Sequence, residues 1–187
     1  AASQWARLAV GGRQTILRSD GTDPAWSGGI GAGTGTETAG IGGIIDASST
    51  AVGNVGTGED DLITYALAAN TLSTNLYGVR ITAFGQTAAN ANTKTIKMYF
   101  GAQLVMQSAA TGYNGLDWVM QTTLVRTGAA TQIAIGWGFV GTNVLTSTYS
   151  TPSETLSGAV TIKCTGEGTA NNDVVERGHL VEYFNGS

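Results

Sequence analysis

The sequence predicts an all-β protein, an antiparallel jelly-roll β-sandwich with an extended N-terminal arm. Three observations lead there. From about residue 44 onward, run after run places apolar residues at every second position, the period of a strand with one buried face. Clusters rich in Gly, Asn, Thr and Ala separate the runs. Helical spacing is confined to two short stretches, Thr64 to Asn70 and Ser108 to Ala110. Strands without helical partners close on one another, as a sandwich or barrel.

Residues 1–27 read as the arm. A short strand from Trp5 to Val10 precedes a second from Gln14 to Arg18, then a turn at Ser19-Asp20-Gly21 and an anchoring Trp26. Asp-Gly between extended segments is a strong turn signal, because both residues tolerate positive φ. Pro24 stiffens the exit. Trp5, Leu8, Val10, Ile16, Leu17 and Trp26 are the apolar side chains by which such a segment would anchor. Residues 28–43, GGIGAGTGTETAGIGG, read as a flexible glycine-rich linker. Its glycines miss the spacing of a dinucleotide fingerprint, and no Gly-Lys-Ser/Thr follows to make a P-loop.

Residues 44–187 read as the sandwich. Val79-Ile81-Ala83 alternate with Arg80 and Thr82, and Ile96-Met98-Phe100 with Lys97 and Tyr99. After a turn at Gly101 comes Gln103 to Met106. Leu116 to Leu124 and Val160-Ile162-Cys164 alternate in the same way, and a last strand spans Val174 to Phe184. In Ile133-Ile135-Trp137-Phe139 the large residues are expected inward, with Gln132, Ala134, Gly136 and Gly138 outward. Turns are expected at 87–93, 111–115, 128–129, 141–152 and 166–172. Roughly eight strands in such a length fit a double-sheet jelly roll. An immunoglobulin-like sandwich is second, without the paired cysteines that mark antibody domains.

Composition narrows the function. Gly, Ala, Ser and Thr make up about half of the 187 residues, and charged residues only 12%, against roughly 25% in an ordinary soluble protein. Such a surface suits a rigid β protein packed into a larger assembly. The net charge of −4 argues against a basic face for nucleic acid or anionic membrane. No run of 18 or more apolar residues occurs, so no membrane insertion is expected. The chain opens on Ala rather than Met, as a processed chain or a fragment does.

No residue pattern points to catalysis, a cofactor or a metal. His179 is the one histidine, and any Ser-His or Cys-His chemistry would have to use it. It falls opposite Leu180 in a strand pattern and reads as a surface or interface residue. Cys164 alternates in register with Val160 and Ile162, so it reads as a small buried apolar residue. Glu59-Asp60-Asp61 lacks the spaced ligands of a calcium loop and reads as a solvated turn. Trp118 and Trp137 read as core, and Tyr77, Tyr113 and Tyr149 as loop aromatics.

Residues 7–26, from Arg7-Leu8-Ala9-Val10-Gly11 to Ile16-Leu17-Arg18-Ser19-Asp20-Gly21-Thr22-Asp23-Pro24-Ala25-Trp26, resemble a short repeat of tail-fibre and fibre-like proteins of tailed bacteriophages. Ala9 stands where that repeat often has Pro, and Gly12-Arg13 where it often has Ala-Gly. Residues 53–62, 88–95, 97–101 and 180–184 resemble jelly-roll domains of phage virion proteins more loosely. The resemblance implies a non-enzymatic, homotrimeric protein of the virion surface, held by contacts with other virion proteins. It would be a fibre or spike component that binds a host surface glycan or protein. A capsid decoration protein is the alternative, and a polysaccharide depolymerase a third reading. The arm would gain order against neighbours, because a segment of this size buries too little area alone.

Overall fold

The computed structural model describes residues 16–19, 24–27 and 43–185, and all regular structure among them is β-strand. The chain divides into two units, Ala1–Ile41 and Gly42–Ser187. In the first, β1 (Ile16–Ser19) pairs antiparallel with β2 (Pro24–Ser27), with Leu17 opposite Trp26. The Asp20-Gly21 pair of the expected turn lies outside the described residues. The stretch expected as a stiffened exit and an anchor is therefore a strand, and its proline takes the first strand position, where a missing N–H is tolerated. Trp5, Leu8 and Val10 lie outside the described residues, as does the expected linker except for its last residue, which opens β3.

The second unit is built from β3 (Gly43–Ser48), β4 (Val52–Gly53), β5 (Gly58–Leu67), β6 (Gly78–Thr87), β7 (Thr95–Phe100) and β8 (Gln103–Gln107). Then follow β9 (Asp117–Gly128), β10 (Thr131–Val140), β11 (Asn143–Ser150), β12 (Val160–Gly168) and β13 (Val174–Phe184). The larger sheet runs β11-β10-β9-β6-β13-β3, with β4 also on β13, and the smaller runs β5-β12-β7-β8. Every pairing is antiparallel. The two sheets pack together as a sandwich. Between them lie Val79 and Ile81 of β6, Met120 and Leu124 of β9, Ile96, Met98 and Phe100 of β7, and Ile162 and Cys164 of β12.

Four expectations are corrected. Thr64 to Leu67 belongs to β5, where Tyr65 and Leu67 face Ile162 and Val160 across the ladder; cross-strand pairing overrides the helical leaning of an Ala-rich stretch. Ser108 to Ala110 is not helical either, and the Ser108 hydroxyl accepts from the Ile96 amide. Glu59-Asp60-Asp61 is the start of strand β5, not a turn. Most of the expected 141–152 turn is strand β11, paired with β10.

Strand β13 holds a further surprise. Its pairing with β6 shifts between Glu176 and Gly178. The extra residue, Arg177, is a β-bulge that inverts the alternation beyond it. Val174 and Glu176 face the core before the bulge, and His179 and Val181 after it. His179 therefore points inward and is only 3% exposed, which overturns its reading as a surface histidine.

Gly85 of β6 lies opposite Trp118 of β9. A Cβ there would stand 2.0 Å from the Val175 carbonyl oxygen and 2.7 Å from the Trp118 indole. Gly85→Ala is expected to cost about 1–3 kcal/mol by overpacking, read as a lower urea midpoint with altered tryptophan fluorescence. An unchanged midpoint would show that the two strands yield freely.

Candidate functional site

Strand β10 is inside out relative to expectation. Ala134 and Val140 are buried, while Ile133, Ile135, Trp137 and Phe139 face outward, Trp137 41% exposed. The reason lies beneath the strand. A Cβ on Gly136 would meet Met106 of the opposite sheet at 3.0 Å, so only the small-residue face fits over β8. Gln132 is also inside. Its amide donates to the Glu154 carbonyl at 2.9 Å and accepts from the Glu154 amide at 3.0 Å, which meets the requirement for burying a polar side chain.

The outward residues form rows across strands. Phe84 of β6, Val119 of β9, Phe139 of β10 and Val144 of β11 stand in register. So do Thr123, Ile135 and Tyr149 two steps along the same face. Between the rows Trp137 packs edge-on against Phe139, with ring centroids 5.9 Å apart. Val144 is 73% and Tyr149 66% exposed. Toward β6 and β13 the face becomes polar, with Gln121 donating to the Thr82 hydroxyl at 3.0 Å and Arg80 paired to Glu182 at 3.5 Å. Tyr149 thus lies on a strand of this face rather than on a loop. Tyr113 is buried, and Tyr77 packs edge-on to Tyr183.

The other sheet presents the opposite character. Its outer face pairs Lys97 with Glu59 and Glu167, and Lys163 with Asp61 at 2.6 Å. The Thr165 hydroxyl donates to Glu59 at 2.7 Å. Burial alone would raise the Glu59 carboxyl, but these donors hold it below its ordinary value. Of the acidic run, Glu59 and Asp61 thus meet ammonium groups, while Asp60 accepts from the Val55 amide at 2.9 Å. One outer face is covered by ion pairs; on the other, the side around β10 is apolar.

Two polar clusters are buried. His179 bonds Asp46 through Nε2, and its Nδ1 lies 3.9 Å from Glu176 Oε1. Glu176 Oε2 accepts from the Ile63 amide of the facing sheet at 2.9 Å, while Oε1 has no hydrogen-bond partner among the described residues. Burial pushes the Glu176 carboxyl up to about 8 and the nearby Cys164 thiol well above its ordinary value. A histidine between two carboxylates could serve as an acid–base pair. Here the ring, Glu176 and Cys164 are all buried, so the cluster ties β13 to β3 and β5.

The second cluster joins loops at one end of the sandwich. Asp173 accepts from Asn90 at 2.8 Å, from Asn92 at 2.9 Å, and from the Thr169 and Ala170 amides at 2.9 Å each. Burial would raise its carboxyl, but these donors bring it down to about 2. Lys94, fully buried, donates to Asn90 Oδ1 at 2.7 Å and to the Asn92 and Asn90 carbonyls at 2.9 and 3.1 Å. Its three protons are thereby satisfied. A pocket of about 110 Å³ among Asn70, Leu72, Arg126 and Leu156 is well below the roughly 300–1,000 Å³ of a small-molecule site.

Of the residues the sequence marks for anchoring, the structure brings Leu17 and Trp26 opposite each other in the first unit. Ile16 stands one position away, opposite Ser27. The outward apolar face was missed, because alternation tells two faces apart without saying which is inside. The glycines and alanine of β10 carried the signal. No protein-family model, curated protein or solved structure matches the chain.

Proposed function

We propose that the chain is a structural, non-enzymatic component of a tailed-bacteriophage virion. In this reading it is a homotrimeric fibre or spike protein on the particle surface. Residues 1–27 attach it to another virion protein, and the sandwich projects to meet a host glycan or protein. The observation that carries the reading is the exposed apolar stretch around β10 on one outer sheet face, opposite a face covered by ion pairs. Contiguous exposed apolar surface of this kind marks a contact surface, and an assembly protein is built around such contacts. The fibre-like pattern in residues 7–26 supplies the virion context.

The strand pairing supports a jelly roll. A jelly roll is one long antiparallel hairpin wrapped around a core, so that first pairs with last and each inner pair follows. Here β3 pairs with β13, β5 with β12, β6 with β9 and β7 with β8. Those eight strands fit the pattern, and β10 and β11 are a further hairpin that widens one sheet.

Removing residues 1–41 is expected to leave a folded sandwich that no longer joins the particle, read by sedimentation with virions. Incorporation of the trimmed chain would sink the attachment role. Copy number on a virion gel tests the placement: a few to tens of copies fit a fibre or spike, hundreds a decoration protein.

A further inference from the structure

We infer that the β10 stripe is the surface through which copies of this chain meet, with Ile135, Trp137 and Phe139 turned toward a shared three-fold axis. This deepens the homotrimer reading above and rests on it.

Area comes first. A whole aromatic side chain offers about 150–250 Å², so the exposed parts of the stripe and its flanking Phe84, Val144 and Tyr149 amount to roughly 700 Å². A standard interface buries about 800 Å² per partner. Shared between two neighbours, the stripe supplies the apolar centre of each contact rather than its whole area, and it exceeds the largest apolar patch of many monomers, about 300–600 Å².

Charge comes next. Each copy carries a net −4, so copies repel over most of their surfaces. The stripe holds no ionisable side chain except the Tyr149 phenol, and like can meet like there without an unpaired charge. Its border has the polar character of an interface rim, with the Gln121–Thr82 bond and the Arg80–Glu182 pair.

Shape suits that symmetry. From Ile133 to Phe139 the stripe follows one strand for about 20 Å, at roughly 3.4 Å per residue. A narrow apolar band along a strand packs well against an axis parallel to it. Each copy then contacts both neighbours and the ring closes.

The test uses the full chain. Light scattering of the wild type is expected to give three copies of 19.1 kDa, about 57 kDa. Ile135→Glu combined with Trp137→Glu is expected to lower the mass threefold with strand circular dichroism retained. Thr161→Glu, on the outer face of the other sheet, is expected to keep the wild-type mass. Ile135→Cys offers a milder probe: the only other thiol, Cys164, is buried, so a short bismaleimide should link pairs of copies on a gel. A trimeric wild type whose double variant stays trimeric, or whose Ile135→Cys form fails to cross-link, overturns the inference and leaves the homotrimer standing. A monomeric wild type overturns both.

Discussion

Replacing Asp173 with alanine is expected to lower the unfolding free energy by about 3–5 kcal/mol, the cost of breaking a buried charged network from one side. The melting temperature should fall by roughly 10 °C or more. The carboxylate is fully buried and takes hydrogen bonds from two asparagine side chains and two backbone amides. Alanine leaves all of these donors unpaired, and each buried unpaired group costs about 1–3 kcal/mol. It also removes the negative charge that offsets the buried Lys94 ammonium, whose pKa is lowered by burial and raised by Asp173. Nearby Asn54, also buried, holds the same loop by donating to the Ala170 carbonyl at 3.0 Å and accepting from the Val174 amide at 2.9 Å. The cluster therefore fails as a unit, and substitutions within it will not add.

Acid offers an independent reading of the same group. The Asp173 carboxyl lies at about 2 in the folded protein against an ordinary 3.8. Its ionisation stabilises the fold above pH 4, and that contribution, about 2 kcal/mol, is lost as pH falls through the folded value. Asp173→Ala should flatten this part of the acid limb. An acid limb identical to the wild type would place the loss elsewhere.

The fold was legible where alternation was strict and one face plainly apolar. β6, β7, β9 and β12 each bury the residues that their period-two pattern marks, among them Ile81, Met98, Met120 and Ile162. It was not legible where the pattern is weak or locally broken. β11 reads NVLTSTYS, and its threonines and serines resemble a turn when their capacity to hydrogen-bond the local backbone is weighed ahead of the β-branching of threonine. β5 opens with acids whose cationic partners lie on β7 and β12, far away in sequence. A bulge at Arg177 reverses His179, and Gly178 beside it is the one local residue that hints at it. β10 shows the general limit. A row of glycines and alanine facing a row of large apolar residues is ordinarily an outside facing an inside. Packing against Met106 makes the small row the inner one, and that contact is tertiary. The apolar face, which carries the proposed assembly role, lies where local pattern and tertiary packing disagree. Strand energetics depend on what covers each face, not on the pattern alone.

Raising the pH from about 4.5 to about 8 is expected to remove a few kcal/mol of stability, at most about 1.4 kcal/mol per unit, and Glu176→Gln to abolish that slope. The sign follows from proton counting. The Glu176 carboxyl lies at about 8 when folded and 4.5 when free. Between those values the folded chain holds a proton that the unfolded chain has released, so stability falls as pH rises. Below the window both states are protonated, and above it both are ionised. Around Glu176 stand the Ile63 amide of β5, the His179 ring, the Cys164 thiol of β12 and, beyond His179, Asp46 of β3. Tyr65 of β5 feels Asp46 as well, after burial, and its phenol is raised. Glutamine keeps an oxygen for the Ile63 amide and cannot ionise. The variant should match the wild type near pH 4.5 and exceed its urea midpoint at pH 8. Parallel profiles across this range would mean that Glu176 is already ionised in the fold. The Asp173 window lies below pH 4 and the Glu176 window above 4.5, so the two groups pull the stability optimum down to about pH 4–5. That lies at the acid edge of, or below, the pH 5–8 range where most proteins are steadiest.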